Sequence, residues 1–303
     1  MGFKATISAF WEIEKEPVRL GSLCIFISNL QCYAKLSGLC VGQLALIGSN
    51  AEISNLTGIK ELKKDLLLRQ DLEGHWLGIL FDALELDCIC TYESSEDFFS
   101  KHQQQILFPN LEICKAANIT GSPYNTTRIT SLLHKEYGEA PHLDLKQNKP
   151  SFGNKFTVCV HLKNASQGDT ESNANFSTWK EFISLKAPLD IQFLLIGSDT
   201  VPEDIKSLPN VISLHDEGLS IVDQLTCIQQ SSAFMGMVSG PANVAILSQV
   251  PYIIFKHPLH HAEVMQKEIG DADHYDFAKQ NQHIVRKHET PELLSLFLDR
   301  VYK

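Results

Sequence analysis

The sequence predicts an α/β protein of two domains, each an open parallel sheet covered by helices, with a ligand cleft between them. Three observations carry this. The chain has 303 residues, enough for two domains of ordinary size. Its second half alternates continuous apolar runs with helical segments, the pattern of strands buried on both faces. The stretch 139–154, EAPHLDLKQNKPSFGN, is polar, holds Pro141 and Pro150 and keeps no period, as an interdomain linker does. Residues 1–145 are therefore assigned to an N-terminal domain and 146–303 to a C-terminal one, with the last helix free to cross back.

In the first half the elements are blurred. Residues 23–28 read as a strand or as the start of a buried helix. Residues 43–47 read as a strand closed by Gly48, Ser49 and Asn50, and 59–68 as a helix. Residues 78–84 and 87–91 are apolar segments parted by a turn, each helix or strand. A helix follows over 97–105, a short strand over 106–108 and a helix over 127–137. The second half is sharper. Strands are expected over 155–162, 191–196, 211–214, 233–237 and 252–255, and helices over 177–185, 220–229, 242–248 and 291–301. Ser177 and Thr290 stand where N-caps belong, and Asp223 falls in a first turn, where a carboxylate meets the positive end of a helix.

Composition narrows the function. A formal net charge of −10 argues against non-specific nucleic-acid binding, which needs a basic face. No run approaches the ~18 apolar residues of a transmembrane segment. The first residues lack the basic start and apolar core of a signal peptide. The eight cysteines form no C-x-x-C pair and no zinc spacing. Reduced thiols in a cytoplasmic protein are expected. The sequons at Asn55, Asn118, Asn125, Asn164 and Asn175 are then chance.

The sharpest local signal is Val238-Ser239-Gly240-Pro241-Ala242-Asn243. A strand runs into it, and a helix leaves it with Pro241 in the first turn, where a missing N–H costs no helical bond. A helix N-terminus thus stands at the carboxyl end of a parallel strand, where open α/β sheets bind ligands. It reads either as an anion site for the phosphates of a nucleotide, on free N–H groups and the helix dipole, or as a tight turn without a ligand. A second constellation ends the strand 155–162. Lys163 is a point charge suited to a diphosphate, and His161 can hydrogen-bond substrate or backbone. The plainer reading is a solvated lysine and a histidine satisfied by backbone.

Taken in order, these motifs resemble a family. HLKNASQGDTESNANFSTWKEFI is similar to the opening of the C-terminal domain of bacterial glycosyltransferases of the GT-B type. LLIGSD at 194–199, IVDQLTCIQQ at 221–230, FMGMVSGPANVA at 234–245 and Val250-Pro251-Tyr252 follow in the family's order. More distantly the pattern resembles heptosyltransferases and fucosyltransferase-like enzymes, whose His-x-Arg contacts the donor diphosphate. The resemblance spans 155–255. It implies two Rossmann-like domains, a nucleotide-sugar donor, a glycan acceptor, no metal and no cofactor. His161, Lys163 and the turn Ser239, Gly240, Pro241, Ala242 and Asn243 would hold the diphosphate. Ser198 and Asp199 would line the nucleoside side, with Asp216 and Glu217 near the base or ribose. The chain departs from the family at three places. Lys163 replaces an Arg, which removes bidentate phosphate binding. Ala174-Asn175-Phe176 replaces an Arg-bearing segment. Ser22 stands where heptosyltransferases place an Asp base after a glycine.

Catalytic candidates in the first half are Ser22, Asp71 and His75. A serine hydroxyl needs its own activator to act as a base. In a helix Asp71 and His75 would share a face at i, i+4; the alternative is a solvated loop or helix start. The run KHPLHH, with His257, His260 and His261, suggests a metal site. Pro258 breaks any helix there and neither a carboxylate nor a Cys completes the set, so a basic loop beside the donor base is expected instead. The readings are a metal-independent glycosyltransferase, a degenerate non-catalytic GT-B protein that binds a nucleotide or a protein partner, and a sugar-nucleotide epimerase. The last needs several carboxylates with an Arg/His set, which the sequence does not display.

Overall fold

A computed structural model describes residues 6–60, 65–138, 142–145, 152, 155–167 and 170–302. Contacts divide the chain into two units, Met1–Lys146 and Gln147–Lys303, each built on one sheet. Of the expected linker, residues 139–141, 146–151 and 153–154 lie outside the described residues.

The first unit runs β1 (Thr6–Glu12), α1 (Leu20–Ser37), β2 (Cys40–Ile47), α2 (Asn50–Thr57), β3 (Leu66–Leu68), α3 (Ile79–Leu84), β4 (Cys88–Tyr92), α4 (Ser95–Lys101), β5 (Ile106–Phe108), α5 (Leu111–Ala116) and α6 (Arg128–Tyr137). The sheet order is β3-β4-β2-β1-β5, parallel except for β3 against β4. Residues 23–28 belong to α1. Its residues from Ser22 to Leu30 are all buried, and a helix apolar on every side shows no period that would tell it from a strand. Gly38 ends it in the left-handed region with φ 67, its N–H returning to the Ala34 and Lys35 carbonyls. The helix expected over 59–68 is corrected at its end. Leu66–Leu68 is an edge strand with only Leu67 buried, while 61–64 lie outside the described residues. The sequence reading missed α2, although Ser49 and Glu52 form a capping box at its start.

The second unit runs β6 (Phe156–His161), α7 (Phe176–Leu185), β7 (Ile191–Leu195), α8 (Glu203–Lys206), β8 (Val211–Ser213), α9 (Ile221–Gln230), β9 (Ala233–Met237), α10 (Gly240–Ile246), β10 (Tyr252–Phe255), α11 (Ala262–Glu268), β11 (Gln282–Val285) and α12 (Pro291–Val301). All strand pairs are parallel in the order β8-β7-β6-β9-β10-β11. The chain therefore winds outward from β6 in one direction and, from β9, in the other. The gap between the carboxyl ends of β6 and β9 is a topological switch point, where such sheets open a crevice for ligands. Trp179 and Phe182 on α7 join Phe193 and the α12 side chains Leu294, Phe297 and Leu298 in one core, so the last helix packs within this unit. Asn175, not Ser177, caps α7: its carboxamide oxygen accepts the Thr178 N–H, and the Ser177 hydroxyl donates to it at 2.6 Å. Helix α10 begins two residues before the expected start.

Candidate functional site

His161 is the last residue of β6 and pairs in register with Gly236 on β9. A Cβ at Gly236 would stand 2.5 Å from the His161 carbonyl oxygen, so only glycine lets the two central strands close here. On the other side, the chain leaving β7 turns at Gly197 with φ 94, and a Cβ there would meet the His161 ring at 2.8 Å. Gly236 thus accommodates the His161 backbone and Gly197 its imidazole, and the residue is 4% exposed. Its Nε2 lies 3.3 Å from Asp199 Oδ2, and its Nδ1 is enclosed without a hydrogen-bond partner.

Asp199 is held from the loop after β6. The Asn164 N–H donates to its Oδ1 at 2.8 Å, and the Asn164 carboxamide donates to the Thr200 carbonyl at 2.8 Å. The hydrogen bond from His161 pulls the Asp199 carboxyl below its ordinary value. Burial works against this, while the Asn164 N–H and the Lys163 charge add to it. Buried Gln224 on α9 accepts the Gly197 N–H at 2.8 Å and donates to the Leu219 carbonyl, fixing the turn that carries Ser198 and Asp199. Asn173 clamps the loop after β6 with two 2.8 Å bonds to the Ala165 backbone. His161, Lys163, Ser198 and Asp199 thus come together at the ends of two adjacent strands. Asn164, Asn173 and Gln224 were missed, because polar residues that bond backbone leave no spacing signal.

At the end of β9, Ser239 is the N-cap of α10, and its hydroxyl accepts the Ala242 N–H at 3.3 Å. The Asn243 carboxamide donates to the Ser239 carbonyl. Pro241 has no N–H, so among residues 240–242 only Gly240 keeps one not spent on the cap. The anion site expected from free N–H groups is thereby reduced. Asp216 stands beyond β8, the edge strand, and its exposed carboxylate is 2.8 Å from Lys206 Nζ. That lysine, with Ser213, holds it below its ordinary value.

In the first unit, Ser22 is buried in the first turn of α1. Asp71 and His75 do not share a helix face: two short 3-10 turns, Arg69–Leu72 and Trp76–Gly78, are broken at Gly74 with φ 73. Asp71 accepts the Leu68 N–H at 2.8 Å. His75 Nδ1 accepts the Leu77 N–H at 3.2 Å, and burial pushes the imidazole pKa down. The strand-end carboxylate here is Glu12, which the sequence reading passed over. It is 6% exposed at the end of β1 and accepts bonds from Lys15 Nζ at 2.8 Å, the Ser95 hydroxyl at 2.6 Å and the Tyr124 hydroxyl at 3.2 Å. Burial pushes its pKa up, but these partners outweigh burial and hold it below the ordinary value.

Among the described residues no group of three or more His, Cys, Asp or Glu is placed to hold a metal ion, and all eight cysteines are free. Among them, too, no helix is long and apolar enough to cross a membrane.

No family model matches the chain, and no curated protein matches it. Solved structures do. A glycosyl transferase family 9 protein from Veillonella parvula DSM 2008 aligns over 99% of this chain and 97% of its own, at 9% identity and a TM-score of 0.53. The E. coli heptosyltransferase WaaC, solved with ADP-2-deoxy-2-fluoro heptose, aligns over 97% and 99% at 11% identity and a TM-score of 0.48. E. coli ADP-heptose LPS heptosyltransferase II aligns over 98% of each chain at 9% identity and 0.48. The first of these establishes the fold as GT-B-like, with two Rossmann-like α/β domains, as the motif series implied.

Proposed function

We propose that this chain is a glycosyltransferase that moves a sugar from a nucleotide-sugar donor to a glycan or related acceptor without a metal ion. The observation that supports it best is the pair of buried His161 and partly exposed Asp199 beside Lys163, at the carboxyl end of β6 where it borders the switch point of the second sheet. When the sugar–phosphate bond breaks, negative charge grows on the leaving diphosphate. Preorganised positive charge and N–H donors stabilise that charge more than they stabilise the ground state. Lys163 supplies the charge; Ser239 and Gly240 supply donors. Asp199, fixed by Asn164, orients the imidazole. The acceptor hydroxyl must lose a proton, and His75 suits that step, because burial favours its neutral, basic form. A cytoplasmic setting, with no cofactor beyond the donor, belongs to the same proposal. The non-catalytic reading draws support from the N–H groups that α10 lacks or spends on its own cap.

The test is a thermal-shift screen against nucleoside diphosphates and nucleotide sugars, with Lys163→Ala alongside. A bound ligand raises the midpoint by mass action. We expect a rise with one nucleotide that is lost in the variant, followed by donor hydrolysis or transfer. A rise without turnover moves the protein to the non-catalytic reading. The absence of any rise in a folded sample rejects the transferase.

A further inference from the structure

We propose a second anion site, for a phosphate or carboxylate group, on the loops that leave β10 and β11, distinct from the His161 site. The inference does not depend on the transferase reading. Residues 256–261, KHPLHH, and 286–288, RKH, hold seven Lys, Arg or His among nine residues, in a chain of net charge −10. Lys256, Arg286 and Lys287 bring three positive charges, and the four histidines add N–H donors. The fold then brings the two runs together. Phe255 lies opposite Val285, and the Lys256 N–H donates to the Val285 carbonyl at 2.9 Å, so the loops start side by side. Arg286 Nη2 donates to the Pro258 carbonyl at 2.7 Å, and the His257 and His288 rings stand 5.2 Å apart.

The independent sign of a ligand is Arg286 Nε, an enclosed donor on a cationic group that meets no acceptor. A buried donor left unpaired is costly, and an anion is the partner that relieves it. His261, Lys287 and His288 are exposed on the same two loops, and a histidine ring offers an N–H donor in either protonation state. Glu171 stands 4.0 Å from His260 Nδ1, Glu263 lies in the first turn of α11, and Glu289 follows His288 in the chain. Glu289 is buried; one oxygen accepts the Asn175 N–H and the Trp179 indole N–H, and the other is unpartnered.

The experiment titrates the full chain with inorganic phosphate, pyrophosphate and a sugar 1-phosphate against chloride at equal ionic strength, reading thermal midpoints and calorimetric affinity. The variants are Arg286→Gln/Lys287→Gln and Lys163→Ala. We expect a saturable phosphate-binding step, absent with chloride, that is at least tenfold weaker in the double variant and persists in Lys163→Ala, whatever that variant loses at the His161 site. Lys287→Glu, at an exposed position, keeps the test sharp if the double variant folds poorly. An equal response to chloride overturns the site. So does a phosphate response that Lys163→Ala abolishes and the double variant keeps. Co-sedimentation with phosphatidylserine vesicles identifies the source. Vesicle binding that soluble phosphate displaces supports the site with a lipid headgroup as its ligand, whereas vesicle binding without any response to soluble phosphate overturns it.

Discussion

The two units end their first strands alike, with a buried polar side chain, and use it differently. At the end of β1, both oxygens of Glu12 are engaged, by Lys15, Ser95 and Tyr124. At the end of β6, His161 engages Asp199 with one nitrogen and leaves the other enclosed and unpaired. A closed network stabilises its surroundings, and an open one keeps bonding capacity for a ligand. On this comparison the first-unit strand end is closed on itself, and the second keeps the bonding capacity on which the proposed binding role rests. Substitutions at the two ends should therefore fail in different ways.

The largest effect is expected at Gly236. A side chain there collides with the His161 backbone between two central strands, neither of which can yield. Gly236→Val should cost about 3 kcal/mol or more by overpacking, read as a lower denaturation midpoint with an unchanged slope. A variant as stable as the wild type would mean that β6 and β9 are not in contact at this register. Glu12→Ala comes next, at about 2 kcal/mol, because it strips the acceptor from buried Tyr124 and from Ser95. It should leave any nucleotide response intact. Loss of nucleotide binding in a folded Glu12→Ala protein would erase the distinction between the two ends.

The same contrast explains what could be read from the chain. The second unit was legible because β7, β9 and β10 are largely apolar runs that stop at Gly197, Ser239 and Lys256, so strand ends and turns announce themselves. His161, Lys163 and Asp199 could be picked out because they stand at such ends. The first unit was not legible, because α1 is buried all round and β3 has three residues. Strand β1 hides its nature, since TISAFWE is buried on both faces after its first residue and shows no alternation. Asp71 and His75 misled through spacing: four residues apart implies one face only if the helix is continuous, and Gly74 breaks it. Glu12 was passed over because nothing local marks a carboxylate whose partners lie 83 and 112 residues away.

A smaller effect separates the two ends by pH. Asp199 has its folded pKa lowered by His161, so its contribution to stability is present above the ordinary carboxylate value. That contribution is lost as pH falls through the lower, folded value. Asp199→Asn should therefore lie about 1.5 kcal/mol below wild type at neutral pH, the scale of a hydrogen bond to a charged group. The gap should close in acid, below the ordinary carboxylate range. A gap that is constant with pH would mean that the carboxylate is not what His161 and Asn164 hold.

The smallest effect is at Ser239, and it asks whether α10 serves the fold or a ligand. Its hydroxyl accepts the Ala242 N–H, so Ser239→Ala removes a cap worth about 1 kcal/mol. The same change frees the Ala242 N–H at the end of β9, next to the switch point. If a diphosphate reaches this turn, the freed donor partly replaces the lost hydroxyl, and nucleotide affinity falls by less than the stability does. If the turn is only a cap, stability drops and nucleotide affinity does not change. A nucleotide affinity that falls further than the stability would place the Ser239 hydroxyl itself on the ligand, and would move α10 from the closed kind of strand end to the open kind.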